Sequence, residues 1–189
     1  MATLQDIRAK AQLQPRPLDW FQRQIRSLGN KFDTPGALMR SDIGKMTGRP
    51  DVGSMYLYLY DPKTKNTLPY YDRFPLVFPY ADAPGGFYGL NLHYLPYGLR
   101  FQLLEELIKT KNTKSISNDT ELQLSWNTLQ SASRFPGVQP TVKRYLYSQI
   151  QSRILKINPE DWYTAAMLPV EQFTGLTKQQ VFNRSRKAL

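Results

Sequence analysis

The chain has no cysteine and only one histidine, His93. That rules out disulfides, thiolate metal sites and a cysteine nucleophile, and it leaves too few members for a histidine metal cluster. No apolar run approaches the roughly 18 residues that a membrane-spanning helix needs. The N-terminal stretch MATLQDIRAKAQLQPRP has no apolar signal region and reads as mature protein. The P-loop, GxGxxG, HExxH and GxSxG signatures are all missing. Acidic side chains are scarce too, 15 against 25 Lys and Arg in 189 residues, a net charge of +10. A cofactor-dependent enzyme or a small-molecule catalyst therefore has little to stand on, and a cytosolic or particle-bound protein is expected.

The charge is unevenly distributed. Residues 1–50 hold nine Lys and Arg against four Asp and Glu, and residues 107–189 hold twelve against five. Residues 51–106 reverse the balance, four against six. Two basic ends around a neutral centre favour a polyanionic partner, either nucleic acid or an acidic protein surface. Within the neutral centre, residues 54–95 carry eleven of the 24 aromatic residues and five prolines. Rings at that density are either core or recognition surface.

Local patterns point to an α+β fold: a small antiparallel sheet of three to four strands packed with about five helices. A helical N-terminal segment and an extended arm precede it. Leu4, Ile7 and Ala11 mark a helix over 3–13, and Leu18, Phe21, Ile25 and Leu28 mark a second from Pro17 to about Ser27. Residues 30–53 lack a sustained period and read as a basic arm, so residues 1–53 are set apart from a compact domain at 54–189. Tyr56, Tyr58 and Tyr60 alternate with Met55, Leu57 and Leu59, the period-two signature of a strand. Residues 74–80 form a second extended piece, limited by Pro75 and Pro79 to an edge or irregular strand. Residues 87–95 form a third. Helices are expected over 97–109, 120–133 and 141–152, with a short fourth strand at 153–157. A further helix follows Asn158 as its cap.

Several residues carry candidate chemistry. Arg40, Lys45 and Arg49 on the arm, Lys143, Arg144 and Arg153, and Arg184, Arg186 and Lys187 in the tail are candidate phosphate contacts. The alternative for each is an ordinary solvated face. Tyr56, Tyr58 and Tyr60 have the spacing of a base-stacking platform, but Tyr70, Tyr71, Phe74 and Phe78 compete for the same volume and favour a core. Asp61, Asp72 and Asp82 with Lys63 or Lys65 nearby mimic a divalent-metal nuclease, although Asp beside Pro also makes turns. His93, alone between Leu92 and Tyr94, reads as structural.

Four stretches and one N-terminal segment read together as a pattern: YLYDPKTKNTLPYYDRFPLVFPY (58–80), GGFYGLNLHYLPYGLR (85–100), SASRFPGVQPTVKRYLYSQIQSRIL (131–155), LPVEQF (168–173) and LDWFQRQI (18–25). The pattern resembles a virion-protein family of T-even-type tailed phages, identified here as the DNA end protector, or head-completion, family. The resemblance covers most of 18–173. It implies a non-enzymatic protein that binds the end of packaged double-stranded DNA and protects it from host exonuclease. It also implies a place in the virion, assembled in the host cytoplasm, beside portal, neck or tail proteins. No cofactor, small-molecule substrate or membrane is implied. Tyr70 and Tyr71 become candidates for stacking on a terminal base. A structural neck or baseplate component without DNA contact is the alternative.

Overall fold

The computed structural model of the protein describes residues 6–7, 17–32, 34–111, 130 and 132–187, so most of the expected helices at 3–13 and 120–133 lies outside the described residues. Helix α1 (Leu18–Ser27) starts after Pro17, whose ring fixes φ at a value compatible with helix entry. Asp19 and Arg26 sit at the ends that the helix dipole favours, and Asp19 pairs with Arg23 at 2.8 Å. Gly29, at φ +61°, takes the left-handed position that ends the run. Helix α2 (Pro35–Met39) is capped by the Thr34 hydroxyl, which accepts from the Ala37 amide at 3.2 Å.

The main sheet has six antiparallel strands in the order β1-β7-β2-β4-β5-β6, against the expected three to four. They are β1 (Gly44–Thr47), β2 (Tyr56–Leu57), β4 (Leu76–Ala83), β5 (Gly86–Asn91), β6 (Val142–Leu146) and β7 (Ile154–Ile157). A separate ribbon joins β3 (Tyr71–Asp72) to β8 (Phe173–Thr174). Two of the differences from expectation have a clear cause. Residues expected to lie in an arm supply β1, which pairs with β7 from Gly44 opposite Ile157 to Thr47 opposite Ile154. The expected helix at 141–152 is instead strand β6 followed by a 3-10 turn at Tyr147–Gln149. Val142, Tyr145 and Leu146 have helical spacing, but pairing with β5 satisfies their backbone in an extended form.

The expected strand at 54–60 keeps ladder pairing only at Tyr56–Leu57, with one further bridge from Tyr60 to Ile150. Strand β4 is internal, between β2 and β5, and not at an edge; it is irregular at its one proline, Pro79. Its register shifts between Pro79 and Ala81, where a missing proline N–H is tolerated. The third strand stops at Asn91, and 92–94 turn as a 3-10 helix capped by the Asn91 side chain, which accepts from the His93 amide at 3.0 Å. Asn158 does not cap the following helix through its side chain; its amide donates to the Asp42 carbonyl at 3.2 Å.

The two faces of the sheet are both covered. On one, Leu57, Leu76, Phe78, Leu90, Leu155 and Ile157 meet α1, α3 (Tyr97–Lys111) and α4 (Trp162–Met167). Trp162 meets Phe78 edge-on at 4.9 Å, and Tyr163 lies between Phe21 and Phe101 at 5.4 and 5.1 Å. On the other face Tyr56, Tyr58, Tyr60, Val77, Phe87 and Tyr145 form a second cluster. Tyr145 is its hub, edge-on to Tyr60 at 4.9 Å and to Tyr58 at 5.7 Å. The three alternating tyrosines are therefore core and not a stacking platform. Helix α5 (Lys178–Lys187), in the tail, buries Val181, Phe182 and Ser185.

Candidate functional site

A cleft of about 760 Å³ opens at the β6 end of the sheet, between the loop 62–71 and strand β6. Tyr70 and Tyr71 line the loop side, Lys143, Arg144 and Tyr145 the strand side, and Tyr94 the floor. The loop is held in place from below. Asp72, in β3, is 3 % exposed, and its two oxygens receive four donors. The Phe74 and Gln172 amides reach Oδ1 at 3.0 and 3.1 Å; the Asn91 amide nitrogen and His93 Nδ1 reach Oδ2 at 3.2 and 2.8 Å. Asn91 also donates to the Tyr145 hydroxyl at 3.1 Å, so one buried network joins both walls of the cleft. Gly175, at φ +92°, lies so close to the Pro69 carbonyl that any Cβ there would collide with loop backbone.

Helix α5 does not line the cleft but packs beside it, against Tyr94 and Tyr97. The Ser185 hydroxyl donates to the Tyr94 carbonyl, and Phe182 packs edge-on against Tyr97 at 5.9 Å. Beneath them Arg100, fully buried, donates to the carbonyls of Leu95, Ala166 and His93 at 2.7, 3.0 and 3.1 Å. The buried Glu171 side chain stands 3.6 Å from Arg100 and 3.1 Å from Lys178. Burial alone would raise its carboxyl, but the neighbouring Arg100, His93 and Lys178 outweigh that and hold it down to about 2. Thus fixed, α5 carries the Arg184 guanidinium to 5.3 Å from the Tyr70 ring centre.

Lys143 is the unusual cation of the cleft. Its ammonium donates to the Pro140 carbonyl at 2.7 Å and lies 4.2 Å from the Tyr94 ring centre. Burial pushes its pKa down to about 8. Arg144, exposed, donates to the Pro84 carbonyl at 2.8 Å. Charge and ring surface are thus combined in one concavity, the pairing that holds flexible polyanions.

The candidate residues divide clearly. Lys143, Arg144, Tyr70 and Tyr71 line the cleft, and Arg184 joins them through Tyr70. Arg49 lies outside the lining but stacks over Tyr147, one residue beyond β6, at 5.2 Å. Lys45 sits in β1, at the opposite edge of the sheet and across from Lys156. Arg40 follows α2 and Arg153 precedes β7, both exposed and neither part of the cleft. Arg186 and Lys187 are exposed in the last turn of α5. Lys63 and Tyr94 line the cleft without having been singled out as contacts; Lys63 in the Asp-Pro-Lys turn was the one legible signal. Of the acidic set, Asp61 pairs with Lys65 at 2.8 Å and Asp72 is spent on the network above. Among the described residues no three His, Cys, Asp or Glu side chains are placed to hold a metal ion, and no helix is long and apolar enough to cross a membrane.

Fold and cleft together define a small basic α+β protein whose site offers cations and aromatic rings. A family model described as Phage T4 terminal DNA protecting protein matches residues 30–187, most of the chain, and the chain belongs to that family. This is the family expected from the blocks at 58–80 and 85–100. No curated protein and no solved structure matches the chain.

Proposed function

We propose that the protein binds the end of packaged double-stranded DNA in the phage virion, shields it from host exonuclease, and so takes part in head completion. One observation carries this reading: in a chain of this family, Lys143 and Arg144 meet Tyr70 and Tyr71 at a single cleft, with Arg184 packed on the Tyr70 ring. Lys and Arg contacts to phosphate hold DNA without regard to sequence, which a genome end requires. Ring surface suits the exposed face of a terminal base. Protection then comes from occupancy and needs no catalytic group. Arg186 and Lys187 extend the basic surface along α5, and portal or neck proteins are the neighbours such a position would provide.

The test compares linear and circular duplexes of equal length at moderate salt, followed by exonuclease challenge of the linear form. Preferential binding of the linear form and slowed digestion are expected, weakening steeply as salt rises. No retardation of digestion and no shift of either duplex would refute it, and a firm complex with neck or baseplate subunits would then take its place.

A further inference from the structure

We propose that the cleft takes up one unpaired nucleotide from the frayed end of the duplex, its base among the tyrosine rings and its phosphate on Lys143. This rests on the end-binding reading above and adds to it the form of DNA that is recognised.

Size is the first argument. At about 760 Å³ the cleft falls in the range of small-ligand sites, about 300–1,000 Å³, which is room to enclose one nucleotide, whereas a paired duplex end can only sit across its mouth. The second is the lining. Tyr70 and Tyr71, Tyr94, and Tyr145 come from three separate segments and line one space. Such rings accept any base, since every base has a π-face. Arg184 at 5.3 Å and Tyr94 at 5.9 Å pack against the Tyr70 ring, so its position is set before a ligand arrives.

Lys143 is the third. A half-buried ammonium with a carbonyl partner keeps donors to spare and has given up part of its hydration. A phosphate oxygen would supply both the missing charge and the missing hydrogen bonds. Asp72 lines the same cleft, but its two oxygens are committed to four internal donors and leave little acceptor capacity facing the ligand. The last base pair of a duplex is the natural source of an unpaired nucleotide, because it is stacked on one side only.

The experiment uses the full chain and three otherwise identical linear duplexes: a paired terminus, a terminal mismatch, and a terminal pair covalently cross-linked between strands. A closed circle of the same sequence is the fourth arm. The mismatch should bind about tenfold more tightly than the paired end, as one stacked step no longer has to be opened, and the cross-linked end more weakly than either. In Lys143→Met and, separately, Tyr70→Leu, each checked for folding by its melting curve, the mismatch preference should collapse toward one. Equal affinity for all three ends, with linear still preferred over circular, overturns nucleotide capture and leaves end binding intact. Equal affinity for linear and circular DNA overturns both.

Discussion

Replacing Lys143 by Met should make the protein more stable and at the same time poorer at holding DNA. The charged form of Lys143 is penalised by burial, which lowers its pKa from the usual 10.5 to about 8. At about 1.4 kcal/mol per unit, that is on the order of 3 kcal/mol against the ammonium in the folded state. Methionine has similar length and no charge, and its thioether can lie on the Tyr94 ring in place of the ammonium. It forfeits the hydrogen bond to the Pro140 carbonyl, about 1 kcal/mol. The net expectation at pH 7 is a gain of about 1–2 kcal/mol.

The pH dependence gives a sharper readout. Between the folded value near 8 and the unfolded value of 10.5, the unfolded chain keeps a proton that the folded chain has released. Stability therefore rises with pH in this window, by about 2 kcal/mol between pH 7 and 9.5. The scan must stop there. Burial raises Tyr58, Tyr94 and Tyr145, so above pH 10 the unfolded phenols ionise first and stability falls again. Urea unfolding of wild type and Lys143→Met at four pH values from 7 to 9.5 measures the difference. Parallel pH profiles, or a destabilised variant at pH 7, would show that Lys143 is not a desolvated cation in the cleft.

Removing the hub of the buried network, Asp72→Ala, leaves the amides of Phe74 and Gln172 and the side chains of Asn91 and His93 without their acceptor; a loss of about 3–5 kcal/mol is expected by chemical denaturation. Glu171, held at about 2 in the folded state against 4.5 unfolded, contributes stability that is present above pH 4.5 and lost as the pH falls toward 2. The acid limb of the wild-type profile should thus be steeper than that of Glu171→Gln. Gly175→Ala should push the Pro69 carbonyl away and displace Tyr70, so DNA-end protection falls more than the modest drop in melting temperature would explain; unchanged protection would disprove that Gly175 sets the loop.

Much of the fold could be read from the sequence where the period was strong and the element long. Pro17 with the stripe Leu18, Phe21 and Ile25 marked α1, and the leucines from Leu99 to Leu107 marked α3. Strand β6 was not legible, because Val142, Tyr145 and Leu146 fit a helical stripe over so few residues. Only β5, more than fifty residues earlier in the chain, selects the extended form. Helix α5 was hidden by its polarity: Val181 and Phe182 are its only large apolar residues. Charge and motif nominated Tyr70, Tyr71, Lys143, Arg144 and Arg184, yet nothing in their spacing told them apart from Lys45 or Arg153. Sheet order makes that distinction, placing β1 and β6 at opposite edges.

The walls of the cleft come from residues 62–72 and 142–146 with Tyr60 and Tyr94, and Arg184 at the end of α5 packs on one of its rings, Tyr70. No short stretch of the chain contains enough of it to act alone. During synthesis at roughly 5–20 residues per second, the Tyr70 loop waits several seconds before β6 and then Arg184 leave the ribosome. A nascent or proteolytically shortened chain thus carries basic patches but no finished cleft. Because the site is assembled from segments far apart in the sequence, only a chain that includes all of them can present it.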